Sequence, residues 1–474
     1  MACPLSIGKD RYLLLPVPEH GINVAARKNR PACWRTEGYE IMQQLERFFE
    51  LSAHGTTVRT EVIAGITTFL TMAYIIFVNP MILADAGMDR DAVFVATCLA
   101  AAIGTAVMAL AANYPIALAP GMGLNAFFTY GVVLGMGNSW QVALGAVFVS
   151  GVIFLLLSVL PVREWIINAI PKSLKMAISA GIGLFLGIIA LKNAGIVVDN
   201  PATLVGLGDM TATPAVLAVI GFVVMVALDR LKVPGAIIIA ILGVTVVGML
   251  IGESRFGGVL SAPPSFAPTL FAMNIMGALE ASLWGVIFAF LFVDLFDTAG
   301  TLIGVAHRAG LLDSQGRLPR LRNALLADSV ATVAGAAMGT STTTSYIESA
   351  AGIKAGGRTG LTALVTAILF LLGLFFAPLA TSIPPYATAP ALLFVACLMA
   401  RGLSELDWED VTEYVPGVVA AVTMPLTFSI ANGIAFGFVS YAAIKLLSGR
   451  PKEASPAVYV LAVLFVLKFI FLPG

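Results

Sequence analysis

From residue 61 onward the chain alternates long apolar runs with short polar gaps. Fourteen runs stand out, at about 61–83, 91–113, 116–135, 139–160, 173–192, 213–228, 234–251, 278–303, 323–338, 342–356, 360–378, 387–401, 415–430 and 432–447. Runs of about 17 to 25 apolar residues cross the roughly 30 Å hydrocarbon core of a bilayer as helices. Helices are the expected form, because lipid offers backbone N–H and C=O groups no partner and a helix satisfies them internally. The pattern predicts an all-α integral membrane protein in contact with the lipid bilayer. A further apolar stretch at 457–471 holds Lys468, is short for a span, and reads as a half-inserted or surface helix.

The flanks differ from this repeat. Residues 1–41 are mixed polar sequence with Pro16, Pro18, Gly21 and Pro31 and no sustained periodicity, which predicts disorder. Around 42–52 the residues Leu45, Phe48, Phe49 and Leu51 fall on one face of a short interfacial helix. The expected division is a tail over 1–52, a membrane domain over 53–447 and a C-terminal apolar helix within 448–474. The tail has no basic start followed by an apolar stretch and a small-residue cleavage site, so it does not read as a secretory signal.

Two of the fourteen runs are interrupted. The third reads PIALAPGMGLNAFF, broken by Pro115, Pro120, Gly121 and Gly123, and the tenth reads MGTSTTTSYIESAAGI, broken by a polar run. Fourteen divides into two sevens, and both interruptions are third in their half. Asn125 and Glu348 lie about 65 residues after the starts of spans one and eight. A repeat with an odd number of spans inserts upside down relative to its partner, and paired broken helices in inverted repeats mark a transport site near the bilayer midplane.

Basic residues set the orientation, because they concentrate in cytoplasmic loops. With the N-terminus inside, the cytoplasmic gaps hold Arg163, Lys172, Arg230, Lys232, Arg308, Arg317, Arg320, Arg322, Lys354, Arg358 and Arg401, whereas Arg90, Lys192 and Arg255 fall outside. Lys445, Arg450 and Lys452 then also lie inside, which favours two separate spans over 415–447.

Composition agrees with the pattern: 59% of residues are hydrophobic and 11% charged, against about 25% charged in a soluble domain. Formal net charge is zero, which gives no indication of a nucleic-acid partner. Cys3, Cys33, Cys98 and Cys397 show no metal-ligand or disulfide spacing, and His20, His54 and His307 all lie outside the spans. No metal or cofactor is expected. HExxH, GxSxG and phosphate-loop motifs are missing in a suitable context, which disfavours an enzyme or an ATP-driven pump.

Few residues are left to carry chemistry. An ionisable residue deep in a span costs roughly 2.5 to 3.5 kcal/mol on insertion scales and marks function by default. Span eight, FLFVDLFDTAGT, supplies Asp294 and Asp297 on one helix face; span ten supplies Glu348 and span three the polar Asn125. No basic residue is comparably deep, and buried carboxyls without a cation are suited to carrying protons. A structural acid bonded to a neighbouring Ser or Thr is the alternative for Asp294 or Asp297 taken singly, and Asn125 can simply bond across helices. Asp328, near the cytoplasmic basic loop, reads as a structural or helix-end group. A carrier is favoured over a channel.

Four motifs in chain order, RTEVIAGITTFLTMAYIIFVNP (59–80), APGMGLNAFF (119–128), FVDLFDTAGTLIG (292–304) and GTSTTTSYIESAAG (339–352), together resemble the AzgA-like purine permeases of the nucleobase/ascorbate transporter superfamily. The resemblance runs from about residue 53 to 471. It implies two inverted seven-helix repeats, with spans 1–4 and 8–11 as a core domain and spans 5–7 and 12–14 as a gate domain, commonly as a homodimer. It also implies proton-coupled uptake of adenine, guanine or hypoxanthine across the cytoplasmic membrane, with the proton gradient in place of a cofactor. By motif, the implied base-binding residues are Gly123, Asn125 and Ala126 in span three, Asp294 and Asp297 in span eight, and Tyr346, Ile347 and Glu348 in span ten. The three acids Asp294, Asp297 and Glu348 are the implied proton-coupling groups. The chemistry is compatible: a purine edge offers ring N–H and exocyclic groups that carboxylates and an amide can pair, while Tyr346 and Phe127 can pack on its face. An anion carrier on the same architecture and a passive nucleobase channel are the competing readings. The lack of a central Arg or Lys argues against the first.

Overall fold

The computed structural model describes residues 43–159, 170–311 and 318–471. The expected disordered tail over 1–41, and Arg163 and Arg317 of the basic loops, lie outside the described residues. The short helix before the first span is α1 (43–49). Its apolar face is divided: Phe49 and Leu51 are buried against Leu361, while Phe48 remains 56% exposed. The helix is thus partly docked on the protein.

Span one is two helices, α2 (Val58–Met72) and α3 (Ile75–Asp85), and span two is α4 (Arg90–Val107), extended by a π-helical turn over Met108–Ala112. Side chains cap both starts: Thr57 accepts from the Thr60 N–H and Asp89 from the Ala92 N–H. Span three is a strand, β1 (Leu118–Pro120), followed by α5 (Met122–Ala126) and a wide π-helical stretch over Phe127–Gly135. Spans four and five are α6 (Trp140–Val159) and α7 (Lys172–Asn193). A hairpin of β2 (Val197–Asn200) and β3 (Leu204–Leu207) leads to α8 (Thr213–Arg230) and α9 (Ala236–Leu250).

The second half repeats this plan. Spans eight and nine are α10 (Trp284–Ala309) and α11 (Leu321–Met338); span ten is the strand β4 (Thr343–Ser345) and the short α12 (Ser349–Lys354). The remaining helices are α13 (Gly360–Gly373), α14 (Pro385–Ala400), α15 (Val411–Leu426), α16 (Ile430–Leu447) and α17 (Pro456–Phe471). The expected separation of the last two spans is a break at Phe428, whose φ of 48° no continuing helix can hold.

Among the described residues, nine helical segments are long and apolar enough to cross a membrane. Spans three, seven and thirteen are shorter apolar helices, and span nine and the strand-and-helix span ten fall in neither group. Helix α17, also short, packs on α16 through Phe465 against Phe438 and Phe469 against Phe436.

The helices pack in two sets. In one, α2 contacts α12 and α13, α4 contacts α11 and α13, and α6 contacts α10 and α11. In the other, α7 contacts α14 and α15, α15 contacts α16, and α8 contacts α9 and α14. Glu61 on α2 is completely buried and forms no ion pair among the described residues. It is compensated instead by the start of α13, accepting from the Arg358 N–H (2.8 Å), the Thr362 N–H (3.2 Å) and the Thr362 hydroxyl (2.7 Å).

Candidate substrate site

The two interrupted spans meet. Strands β1 and β4 pair antiparallel, with Leu118 opposite Ser345, Ala119 opposite Thr344 and Pro120 opposite Thr343. Two bonds outside the strands extend the ribbon: Gly121 N–H to Thr342 O and Tyr346 N–H to Ala117 O, both at 2.9 Å. The local sequence explains the strand. Threonines are stiff at χ1 and favour extended backbone, and Gly339, at φ 102°, makes the sharp exit from α11 that a side chain would oppose. Irregular backbone at this depth is tolerable only because protein groups satisfy it.

Around the ribbon lie the groups singled out from the sequence. The Glu348 carboxylate accepts from the Tyr74 hydroxyl at 2.7 Å, and the Glu348 side chain remains partly accessible. Asp297, on α10, is also partly accessible; the charge acting on it is that of Glu348, and no hydrogen bond to its carboxyl is found among the described residues. Ile347 is 51% exposed, so this part of span ten is not enclosed by the protein. Tyr346 is buried and donates to the Pro120 carbonyl at 2.6 Å, acting as a strut across the ribbon. Asn125 is fully buried, its carbonyl bonded to the Ser341 hydroxyl and its amide nitrogen unpartnered. The hydroxyls of Thr342, Thr343 and Ser345 also lack partners. The interrupted spans thus carry unpartnered polar atoms as well as two partly accessible acids, groups that a flat polar molecule can pair.

Other expected site residues are turned elsewhere. Asp294 does not face Glu348: its carboxyl takes a hydrogen bond from Thr332 and meets that of Asp328. Asp328 is not at a helix end; it is completely buried in the third turn of α11, where Thr298 donates to it at 2.9 Å. Ala126 and Phe127 are also completely buried, and the Phe127 ring packs on Phe290 at 5.1 Å, so it is a core residue and not a platform for a base. Gly123 lies on the boundary between the helix sets, where a β-carbon would come within 2.2 Å of Ile182 on α7. Sequence reasoning missed Tyr74, Ser341, Thr332 and Ile182. Of these, Tyr74 left a signal, because a tyrosine hydroxyl in an apolar span needs a partner.

Asp410, Glu413 and Glu453 also converge, at the cytoplasmic side in the expected orientation, but two cations already hold them. Lys445 Nζ is 2.7 Å from Glu413 and 2.8 Å from Glu453; Arg450 is 2.6 Å from Asp410 and 2.7 Å from Glu453. The cluster is an ion-pair network.

Comparison with known proteins fits this geometry. The chain is 50% identical to the adenine permease AdeP of Escherichia coli over 428 residues, covering 90% of this chain and 96% of the relative. It is 47% identical to the guanine/hypoxanthine permease PbuG of Bacillus subtilis over 440 residues, covering 90% of this chain and all of PbuG. Among solved structures, the transmembrane domain of a cyanobacterial bicarbonate transporter, BicA, superposes with a TM-score of 0.59 at 16% identity, covering 79% of this chain and 97% of that one. That likeness shows the inverted-repeat fold alone. A family model described as the permease family matches residues 59–436. Spanning that model and sharing about half its residues with such relatives, the chain is an integral, multi-pass membrane transporter rather than an enzyme, and it belongs to the permease family of the nucleobase/ascorbate transporters.

Proposed function

We propose that this protein imports purine nucleobases, among them adenine, guanine and hypoxanthine, together with protons. The observation that carries the reading is the pair Asp297 and Glu348, two accessible acids beside the ribbon that joins both broken spans, with Tyr74 fixing one of them. Two neighbouring carboxylates repel each other in a poorly solvated site, and either a proton or the N–H edge of a purine relieves that repulsion. A site that needs both is a symport site. The adenine and guanine/hypoxanthine permeases among the relatives support the choice of substrate.

In this reading the set of helices around α2, α4, α10 and α11 is a core that carries the base, and the set around α7, α14 and α15 is the gate against which it moves. Gly123 against Ile182 is the contact that the motion opens. The basic loops put the N-terminus in the cytoplasm, and a homodimer joined through the gate would hold that set still. The unpartnered amide nitrogen of Asn125 adds a donor for the base.

The test is uptake into proteoliposomes with an imposed inward proton gradient. Radiolabelled adenine, guanine and hypoxanthine should concentrate, uracil should compete poorly, and a protonophore should abolish the accumulation. Equilibration without accumulation would identify a channel. Accumulation that survives the protonophore but requires sodium would overturn proton coupling.

A further inference from the structure

Helices α10 and α11 carry the same short pattern, an acid followed four residues later by a threonine: Asp294 with Thr298, and Asp328 with Thr332. The threonines are exchanged between the helices. Thr332 of α11 donates to Asp294 Oδ2 at 3.2 Å, and Thr298 of α10 donates to Asp328 Oδ2 at 2.9 Å. Both acids are buried, at 2% and 0% exposure, and the crossed threonine bonds bring their carboxyls close enough to interact. Each keeps one oxygen, Oδ1, with no donor.

Among the described residues no cation is bonded to this pair. Asp297 is the charged group that acts on both acids. From the elements packed on α10 and α11, Lys175 of α7 lies 6.0 Å over the Phe296 ring and Lys445 of α16 is held by Glu413 and Glu453. Arg90 of α4 donates to the carbonyls of Ala380 and Ile383, while Arg322 of α11 and Lys354 of α12 are exposed. Two ionised carboxylates in contact without a cation would be strongly unfavourable, and a single proton between them gives one oxygen a donor and the other a partner.

The pair is also wired to the ribbon. The Thr332 hydroxyl has one hydrogen and two acceptors within reach, Asp294 Oδ2 at 3.2 Å and the Thr343 carbonyl of β4 at 3.0 Å, and it accepts from the Thr343 N–H at 3.2 Å. With one shared proton the pair bears a negative charge and draws that hydrogen; with a second proton it is neutral and the hydrogen turns to β4.

Building on the symport reading above, we propose that Asp294 and Asp328 form a proton-sharing pair, separate from the base-holding Asp297 and Glu348, and that Thr332 reports its proton count to β4. The proton taken up from outside is the second one, and it leaves to the cytoplasm when the core group turns inward. Thr332 is a positioning residue.

Infrared spectroscopy of the purified, full-length protein in liposomes decides whether the proton is shared. The wild type should show a deuterium-sensitive protonated-carboxyl band, and Asp294→Asn and Asp328→Asn should each remove the same component of it, equal to the loss in the double variant, because an amide can donate to the remaining carboxylate. Two independent acids would each remove half, and an unchanged band in either variant would overturn the pair. For the link, Thr332→Val should keep adenine binding within about threefold, the scale of one lost neutral hydrogen bond, while losing gradient-driven accumulation; Thr332→Ser should restore it. Intact accumulation in Thr332→Val, or none regained in Thr332→Ser, would sink the link. Adenine-evoked proton uptake by the wild type is the separate check of symport: its absence would fail the symport reading while the infrared result still stands on its own.

Discussion

Gly123 on α5 and Ile182 on α7 are in such close contact that a methyl group added to the glycine would lie 2.2 Å from the isoleucine Cγ2. The broken span that lines the site is pressed directly against the helix set around α7. Any side chain at 123 must push Ile182 aside.

Gly123→Ala should therefore slow nucleobase uptake by about tenfold or more, since overpacking of this kind costs on the order of 1–3 kcal/mol. Ile182→Ala in the same chain removes the obstructing methyl and should recover much of the rate. Uptake kinetics of both, with surface expression controlled, provide the check. An unaffected Gly123→Ala would mean the contact is not compressed during transport.

Glu348→Gln replaces one acceptor oxygen with a donor and removes a charge. If Glu348 holds the base, one charge-assisted bond worth about 1.5–3 kcal/mol is lost, and affinity should fall roughly ten- to a hundredfold. Equilibrium binding to purified protein is the required measurement, because uptake mixes binding with coupling. Affinity equal to wild type across the pH range would move the site elsewhere.

Tyr74→Phe tests the neighbour. The hydroxyl that donates to Glu348 at 2.7 Å disappears while the ring stays. The carboxylate loses its anchor, and base affinity should fall about fivefold, in line with roughly 1 kcal/mol for a single hydrogen bond. A loss matching that of Glu348→Gln would instead indicate that Tyr74 touches the base itself.

The ion-pair network around Lys445 predicts a stability effect. Lys445 is completely buried between Glu413 and Glu453, which are 22% and 43% exposed. Lys445→Met leaves Glu413 without a cation and Glu453 with Arg450 alone, and should destabilise the protein by about 3 kcal/mol, the low end for breaking a buried pair because the partners reach water. Thermal unfolding in detergent would show it. Transport by the surviving folded fraction should be normal.

Asp410, just before α15, supplies a pH test. The Thr412 hydroxyl and N–H, and then Arg450, hold its carboxyl down to about 2. A depressed acid contributes stability that is full above its unfolded value, about 3.9, and is lost as pH falls through the folded one. The stability gap between wild type and Asp410→Asn should be constant above about pH 5 and narrow between about pH 4 and 2. A gap that widened on acidification would contradict the assignment.

Much of this was legible in the sequence because lipid makes hydropathy a strong signal. The spans, and the acids Asp297 and Glu348, stand out against apolar neighbours, and Pro120, Gly121 and the threonine run mark where helix must fail. The partner of each break was not legible: Pro120 meets Thr343 across 222 intervening positions, and no local pattern encodes that pairing. Asp328 was read from its nearness to a basic loop, whereas its place in α11 depends on the crossing of two helices. Tyr74 and Thr332 are ordinary residues for a membrane span, and only their partners distinguish them. The thirteenth span was placed about four residues late, since the turn at Phe428 lies inside an apolar run.

The ribbon draws one strand from each half of the chain, and that has a consequence for biosynthesis. When the ribosome has delivered only the first half to the bilayer, Leu118–Pro120 has backbone groups in a region where lipid cannot satisfy them. They wait until Thr343–Ser345 arrives. A chain terminated before Thr343 therefore leaves those groups without the partners that the full-length fold supplies.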